Sequence, residues 1–364
     1  MTSDILKLSQ AIKQLPPVQL ADLFDLVSGN ILSMANQGII KNAQNSGYLT
    51  ACSKHLEQAS REILQFAQTQ QADDNKENTM NNKNPKRLER VQVAQDTLNI
   101  IKQGHYQHPQ AGTVNLQLEI DRCTEQTQLF TPKQLADLKP VPPTHQNTQI
   151  EVINETTLAG AKRLYDQQTF QRIGVLNFAS AKNAGGGFLG GSQAQEESLA
   201  RSSALYASLQ RCPEYYDYHR RQNKSLLYSD HMIYTPGCPV FKQDSGELLA
   251  SPYQVDFITS PAPNYGATAR NQPDALAQLK TVFIKRIRTV LTLAAHQGCD
   301  ALILGAWGCG VFANRPQSVA EWFAEQLVKE GEFAQSFRHI SFSIPEDSRA
   351  PKNSLSFQQA LTQQ

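Results

Sequence analysis

The sequence predicts an α/β domain, layered with helices on both faces of a sheet, behind a smaller helical N-terminal region. Three observations predict it. From about Arg87 onward, short apolar segments of strand length alternate with longer segments of helical periodicity. Two of the short segments, Ile173–Phe178 and Ala301–Leu304, are apolar enough to be buried on both faces. Residues 71–86 hold almost no apolar side chain, cannot bury a core, and read as a linker or loop between the two parts.

Taken in order, residues 1 to 70 read as helices. Ile5, Leu8, Ile12 and Leu15 recur at helical spacing, as do Leu56, Ile63 and Phe66, and Pro16-Pro17 separates the first helix from the next. Leu88, Val91, Ala94, Leu98 and Ile101 form the apolar stripe of a helix closed by Gly104. Residues 113–120 alternate as a half-buried strand does. Gln149–Ile153 is a strand, 158–164 the helix after it, and Ile173–Phe178 a buried strand. Residues 198–209 have helical character, and 255–259 are strand-like. Residues 271–296 read as one long helix, with Leu276, Leu279, Phe283, Ile287, Val290 and Leu291 on one side and Gly298 just past its end. Ala301–Leu304, 317–327 and 339–344 complete the pattern as strand, helix and strand. The Gln-rich tail after Pro351 is a terminal helix or a frayed end, and no internal repeat is present.

Bulk properties narrow the function. A chain of 364 residues suffices for one large domain and a smaller one, at roughly 100–200 residues per domain. The formal charge of +1 gives no basic face for a nucleic-acid backbone, so direct DNA binding is not expected. Cys52, Cys123, Cys212, Cys238, Cys299 and Cys309 form no C-x-x-C pair, and no histidine pair has metal-ligand spacing, which argues against a structural zinc site. Scattered thiols suit a reducing cytosol. The start Met1-Thr2-Ser3-Asp4 lacks the basic and apolar regions of a secretory signal, and no apolar run is long enough to span a bilayer. The expectation is a soluble, cytoplasmic protein with no membrane role.

The most informative string is Gly185-Gly186-Gly187-Phe188-Leu189-Gly190-Gly191-Ser192-Gln193-Ala194-Gln195-Glu196-Glu197. Residues 185–190 match G-x-G-x-x-G after a strand, the dinucleotide fingerprint, but fit it poorly. Residues 179–184 intervene after the strand, the loop runs on through Gly190-Gly191 before any helix, and Glu214 and Asp217 lie in a Tyr-rich segment rather than a second strand. No Walker-type G-x-x-x-x-G-K-[ST] occurs. A glycine run does let backbone N–H groups approach a pyrophosphate closely. Glu196 and Glu197 follow at a helix mouth, where the dipole favours ionised carboxylates; an acid there needs burial or a nearby phosphate to raise its pKa. The plain alternative is a flexible surface loop followed by two first-turn glutamates.

Preceded by L-N-F-A-S-A-K-N-A, the string closely resembles the G-G-G…Q-E-E signature of the bacterial-type poly(ADP-ribose) glycohydrolases, a branch of the macrodomain superfamily. A second block agrees: Gly305-Ala306-Trp307-Gly308-Cys309-Gly310-Val311-Phe312-Ala313-Asn314-Arg315-Pro316 leaves a buried strand and enters a helix, as that family's second phosphate loop does. The resemblance runs from about Arg87 to Ile344. It implies a three-layer α/β/α macrodomain with a mixed sheet over residues 87–350, a helical extension and polar linker over 1–86, and a tail over 351–364. It also implies hydrolysis of ribose–ribose O-glycosidic bonds of poly(ADP-ribose), releasing ADP-ribose, with no cofactor and no metal. The alternatives are a mono-ADP-ribosyl hydrolase acting on protein or nucleic acid, and a non-catalytic ADP-ribose-binding module.

By the same resemblance, Asn183 would hold the distal ribose and Gly185, Gly186 and Gly187 would line the diphosphate, with Gln195 at the site beside them. Gly308, Cys309, Gly310 and Val311 would close over the diphosphate, and Phe312 would pack on the ribose. Glu197 would be the catalytic acid and Glu196 its neighbour that orients the ribose hydroxyl. Ordinary glycosidases place two carboxyls about 5 to 9 Å apart on opposite faces of the sugar. Adjacent glutamates cannot easily do so, and a one-acid mechanism follows: Glu197 protonates the departing ribose oxygen and then activates water.

Other features have plainer readings. Glu155, in Asn154-Glu155-Thr156-Thr157, sits where macrodomains often contact adenine, yet the segment equally suits a helix N-cap. Tyr215, Tyr216 and Tyr218 with Arg220 and Arg221 could stack on a base, but packing beside the active-site helix is favoured. Residues 260–266 leave a strand end at the expected pocket edge, though turn chemistry explains their Pro and Gly. Cys309 reads as a small residue in a tight loop rather than an activated thiol. Lys83, Lys86, Arg87 and Arg90 read as a solvated linker end. The N-terminal region is a candidate module for an unknown partner, a lid restricting access to the pocket, or a fold-stabilising cap.

Overall fold

In the computed structural model the described residues are 85–139, 141–143, 145, 147–328, 330–346 and 352–362. The expected helices of residues 1–70, and the linker up to residue 84, lie outside them. The chain divides into two compact units, Met1–Pro85 and Lys86–Gln364, and the sheet with its helices belongs to the second.

A single strand explains the layout. Strand β5, Ile173–Phe178, is fully buried up to its last residue. Its neighbours on both sides run parallel to it. Around it lie β3 (Gln128–Phe130), β4 (Gln149–Ile153), β6 (Met232–Lys242), β7 (Leu248–Ser260), β8 (Ala301–Leu304) and β9 (His339–Ser343). Their order is β3-β6-β7-β5-β8-β9-β4, and only β6 runs against the rest. A small hairpin, β1 (His105–His108) with β2 (Gly112–Asn115), stands apart.

Alternation along the strands fills a core on each face. Leu176, Ile258, Leu302 and Phe342 pack with Phe283, Trp307, Phe323 and Phe357 on one side. Val175, Phe257 and Ile303 pack with Leu164, Leu199, Leu205 and Tyr215 on the other. The first layer of helices comprises α9 (Leu279–His296), α10 (Pro316–Leu327) and α11 (Lys352–Thr362). The second comprises α2 (Gln117–Glu125), α4 (Thr157–Asp166), α5 (Gln195–Ser202), α6 (Leu205–Leu209) and α7 (Pro213–Asp217). This is the mixed-sheet α/β/α arrangement expected from the sequence. The tail beyond Pro351 contributes Phe357 and Leu361 to the first core.

Several elements differ from the sequence reading. Helix α1, Pro85–Gln103, begins inside the expected linker, and Gly104 beyond it has φ +72°. Its buried stripe is Ala94, Thr97 and Ile100, while Leu88 is 46% exposed. Of the expected stripe, Ala94, Leu98 and Ile101 do pack on the core, and Thr97 joins them by accepting from buried Lys242 Nζ at 2.9 Å. Residues 113–120 are a strand only to Asn115, and α2 takes over at Gln117. Helix 198–209 starts earlier, at Gln195, and breaks at Ser203, whose extended backbone bridges to Val240. The long helix 271–296 is interrupted by Pro273: α8 (Tyr265–Asn271), a 3-10 turn (Pro273–Gln278) and α9 replace it. Strand β6 went unread because Pro236, Gly237 and Pro239 punctuate it. The register shifts between Thr235 and Cys238, and Gly237 N donates to Asp256 Oδ1 at 2.7 Å, so a bulge absorbs the break. Among the described residues no helix is long and apolar enough to cross a membrane.

Candidate active site

A cleft of about 520 Å³ opens where β5, β8 and β9 end, with Phe178, Ala306 and Ser343 in its lining. That is where an open α/β sheet offers a crevice. A larger groove, about 1030 Å³, runs between α9 and helix α3 (Pro132–Ala136), but none of the residues singled out in the sequence lines it.

Gln195 fixes one wall. Its Oε1 accepts from Phe178 N at 2.8 Å and its Nε2 donates to Leu176 O at 2.7 Å, so a side-chain amide takes the place of a strand partner at the end of β5. This sets the first turn of α5, and with it the two glutamates. Glu196 points inward and is 3% exposed. Its Oε2 accepts from Ser180 N at 2.6 Å and its Oε1 from Asn177 Nδ2 at 3.3 Å. Burial pushes its carboxyl up to about 8; the Glu197 charge adds to the shift and the two donors oppose it. Glu197 is partly exposed, and its Oε1 accepts from Gly187 N at 3.0 Å.

The glycines serve this pair. Gly186 has φ +60°, and a Cβ there would stand 2.3 Å from Glu197 Oε1 and 3.2 Å from Glu196 Oε2. Any side chain would displace the carboxylates. The N–H groups of the run are already used: Gly186 N donates to Asn183 O at 3.0 Å, Gly187 N to Glu197, and Phe188 N to Gly185 O at 3.3 Å. Gly186 and Gly187 therefore meet the glutamates while Gly185 packs on Phe188 and Ala200. Neither the three glycines, nor Asn183, nor Glu196 and Glu197 are in the cleft lining, which Gln195 and Ser198 enter on either side of the pair. Asn183 is exposed, with its own N–H on Ser180 Oγ at 3.1 Å.

The second loop forms the opposite wall. Gly308, Gly310, Val311 and Phe312 line the cleft, and Cys309 does not. Gly308 has φ +72°, and its carbonyl accepts from buried Asn314 Nδ2 at 2.9 Å, an amide that also holds Pro263 O at 2.8 Å. Val311 is 84% exposed at the tip. Phe312 packs against Tyr228, ring centroids 5.9 Å apart. Burial pushes the Cys309 thiol up to about 12, which suits a packing residue and not a nucleophile.

Glu155 is not brought to the cleft. Its carboxylate is held by Arg163 at 2.8 Å and by Ser343 Oγ at 3.0 Å. Its neighbour Thr156 caps α4, accepting from Ala159 N at 3.1 Å. Tyr215 and Tyr216 are buried edge to face, centroids 4.8 Å apart, and Arg220 holds Lys182 O at 2.7 Å, so this segment packs under the loop. Ala262 brings the 260–266 turn to the cleft edge. Arg87 and Arg90 are not a solvated linker end: each donates to a carbonyl of the glycine loop. The sequence reading missed Asn177, Ser180, Asp244 and Asn353, the last two in the cleft lining. Asn177 alone had left a signal, a polar side chain inside an apolar strand.

A family model described as the catalytic domain of microbial-type PARG matches residues 94–243. The solved poly(ADP-ribose) glycohydrolase from Thermomonospora curvata is 42% identical, covers 75% of this chain and 99% of its own, and superposes with a TM-score of 0.71. The chain belongs to the microbial-type poly(ADP-ribose) glycohydrolase family. A second structure of the Thermomonospora curvata member, bound to the inhibitor ADP-HPD, matches at 43% identity over 74% of this chain and 98% of that one, with a TM-score of 0.69. The family member from Deinococcus radiodurans, in complex with ADP-ribose, is 42% identical over 66% of this chain and 96% of its own, with a TM-score of 0.62. No curated protein matches the chain.

Proposed function

We propose that this chain hydrolyses the ribose–ribose O-glycosidic bonds of poly(ADP-ribose) and releases ADP-ribose. The observation that carries the reading is the carboxylate pair Glu196 and Glu197, packed on a glycine with no room for a side chain and set beside the cleft by Gln195. Solved relatives at about 42% identity are poly(ADP-ribose) glycohydrolases, one bound to ADP-ribose and one to ADP-HPD.

In this reading Glu197, the more exposed of the two, protonates the departing ribose oxygen. An oxocarbenium-like centre forms at the anomeric carbon, and the deprotonated Glu197 activates the water that completes hydrolysis. Glu196 orients the ribose hydroxyl. Gly308 and Gly310 close over the diphosphate with Val311 at the rim, Phe312 packs on the ribose, and Asn183 reaches the distal ribose from the loop. The partly buried carboxylate of Glu155 is committed to Arg163, which leaves adenine to the other residues around Thr156. The catalytic domain begins near residue 87, residues 1–86 are an extension with a role in binding a partner, and a cytosolic location suits the free thiols.

Incubation with poly(ADP-ribose) and with mono-ADP-ribosylated protein, followed by detection of free ADP-ribose, tests this. Release from the polymer is expected. Release from the mono-modified protein alone would make the chain a mono-ADP-ribosyl hydrolase, and binding without release would make it a reader.

A further inference from the structure

Arg87 and Arg90, near the start of α1, both reach the tail of the glycine loop. Arg87 Nε donates to Gly190 O at 2.7 Å, and Arg90 Nε donates to Gly191 O at 2.7 Å. A glycine run has no side chains with which to fix its own backbone. A guanidinium holds a carbonyl by both charge and direction. The helix itself closes the contact, because a Cβ on Gly191 would stand 2.5 Å from Arg87 O and 3.0 Å from Val91 Cγ2.

Helix α1 is firmly seated behind these contacts. Ala94 packs with Phe188 of the loop and Ala200 of α5. Lys242, 1% exposed, bonds Asp96 Oδ2 at 2.7 Å, Thr97 Oγ1 at 2.9 Å and Val93 O at 3.1 Å. From the clamped carbonyls a short chain of bonds leads to Glu197. Gly190 N and Ser192 N both donate to Gly187 O at 3.1 Å, and Gly187 N donates to Glu197 Oε1 at 3.0 Å. Arg201 holds the far end through Ser192 O at 2.7 Å.

We propose that Arg87 and Arg90 are positioning residues for Glu197, acting through the 187–191 turn; this rests on the glycohydrolase reading above. Neither lines the cleft, and both precede residue 94, where the family-model match begins. They fix the loop so that the Gly187 N–H is presented to the carboxylate in one place.

The test uses the full chain with poly(ADP-ribose) as substrate and hydrogen exchange of the unliganded proteins as a second readout. The variants are R87A/R90A, R87K/R90K and, as a charge control on the same helical turn, K86A. K86A should behave as wild type. R87A/R90A should lower kcat on the order of 10- to 100-fold with KM within about twofold, the size expected of a displaced catalytic group. Its loop amides over 187–192 should exchange faster while those of β5 and β8 keep their protection. R87K/R90K, with charge kept and the directed fork lost, should fall between the two.

Unchanged kcat and unchanged loop exchange in the alanine pair would overturn the proposal. So would a raised KM at constant kcat, which would make the arginines contacts for the polymer. If the alanine pair unfolds, the lysine pair decides, and wild-type kcat and exchange there overturn the proposal. A wild type that releases no ADP-ribose would defeat the functional reading, while the exchange arm still tests the clamp.

Discussion

Asn177 Nδ2 lies 3.3 Å from Glu196 Oε1, so the central strand hands a donor to a carboxyl group that is almost wholly removed from water. The other end of the same amide, Asn177 Oδ1, is buried with no partner among the described residues. The same Nδ2 also donates to Thr259 Oγ1 at 3.2 Å, which fixes the amide in the orientation that serves the carboxyl group.

Stability should therefore fall with rising pH in the range where Glu196 titrates. Its pKa is 4.5 when solvated and about 8 in the fold. Between those values the native state binds the extra proton, so unfolding becomes easier as pH rises, and the dependence ends above about 8. Glu196→Gln removes this contribution. In urea titrations the stability of E196Q relative to wild type should grow between pH 5 and pH 8 by a few kcal/mol, because one proton bound only in the fold is worth about 1.4 kcal/mol for each step of one in pH. Parallel pH profiles would show that Glu196 does not titrate there.

Glu197→Gln should abolish release of ADP-ribose from the polymer while leaving ADP-ribose binding, measured by calorimetry, within a few-fold of wild type. The amide keeps the shape and the bond from Gly187 N but cannot give up a proton. Full activity in E197Q would remove this residue from the mechanism.

Gly186→Ala should cost about 1–2 kcal/mol in stability from the left-handed backbone alone. The added methyl group would also push Glu197 off its position, lowering kcat on the order of 100-fold. Chemical denaturation and initial rates separate the two effects, and a stable, fully active G186A would contradict the packing described.

Gly308→Ala acts on the other wall. With φ +72° and a Cβ placed 2.6 Å from that of Ala262, the second loop must shift. Affinity for ADP-ribose should fall about 10-fold or more, an effect of roughly 1.4 kcal/mol. The pH dependence of stability assigned to Glu196 should stay as in wild type, since Gly308 bonds neither glutamate.

Much of this was legible in the residues. Ile173–Phe178 and Ala301–Leu304 are apolar almost throughout, and the structure places both as interior strands at their expected bounds. Strand β6 was not legible because tertiary contacts override local pattern there: Pro236 and Gly237 break a strand signal, yet Asp256 receives the Gly237 N–H inside the strand. The glycine loop was legible as the place of chemistry, but its geometry was not. Phosphate-binding sequences and carboxylate-packing sequences both need glycine, and only the positions of Glu196 and Glu197 show which need Gly186 meets. Arg87 and Arg90 were illegible for another reason. Their partners are carbonyl groups about a hundred positions away, and a main-chain acceptor leaves no trace in a sequence.

Helix α11 gives the chain a particular order of assembly. Asn353 stands in the cleft lining and Phe357 packs against both Phe323 and Phe342. During synthesis the glycine loop and both glutamates leave the ribosome long before residues 352–362 do. A nascent chain thus holds Glu196 and Glu197 in place before Asn353, one residue of the cleft lining, can join them, and that part of the lining waits for α11 to dock.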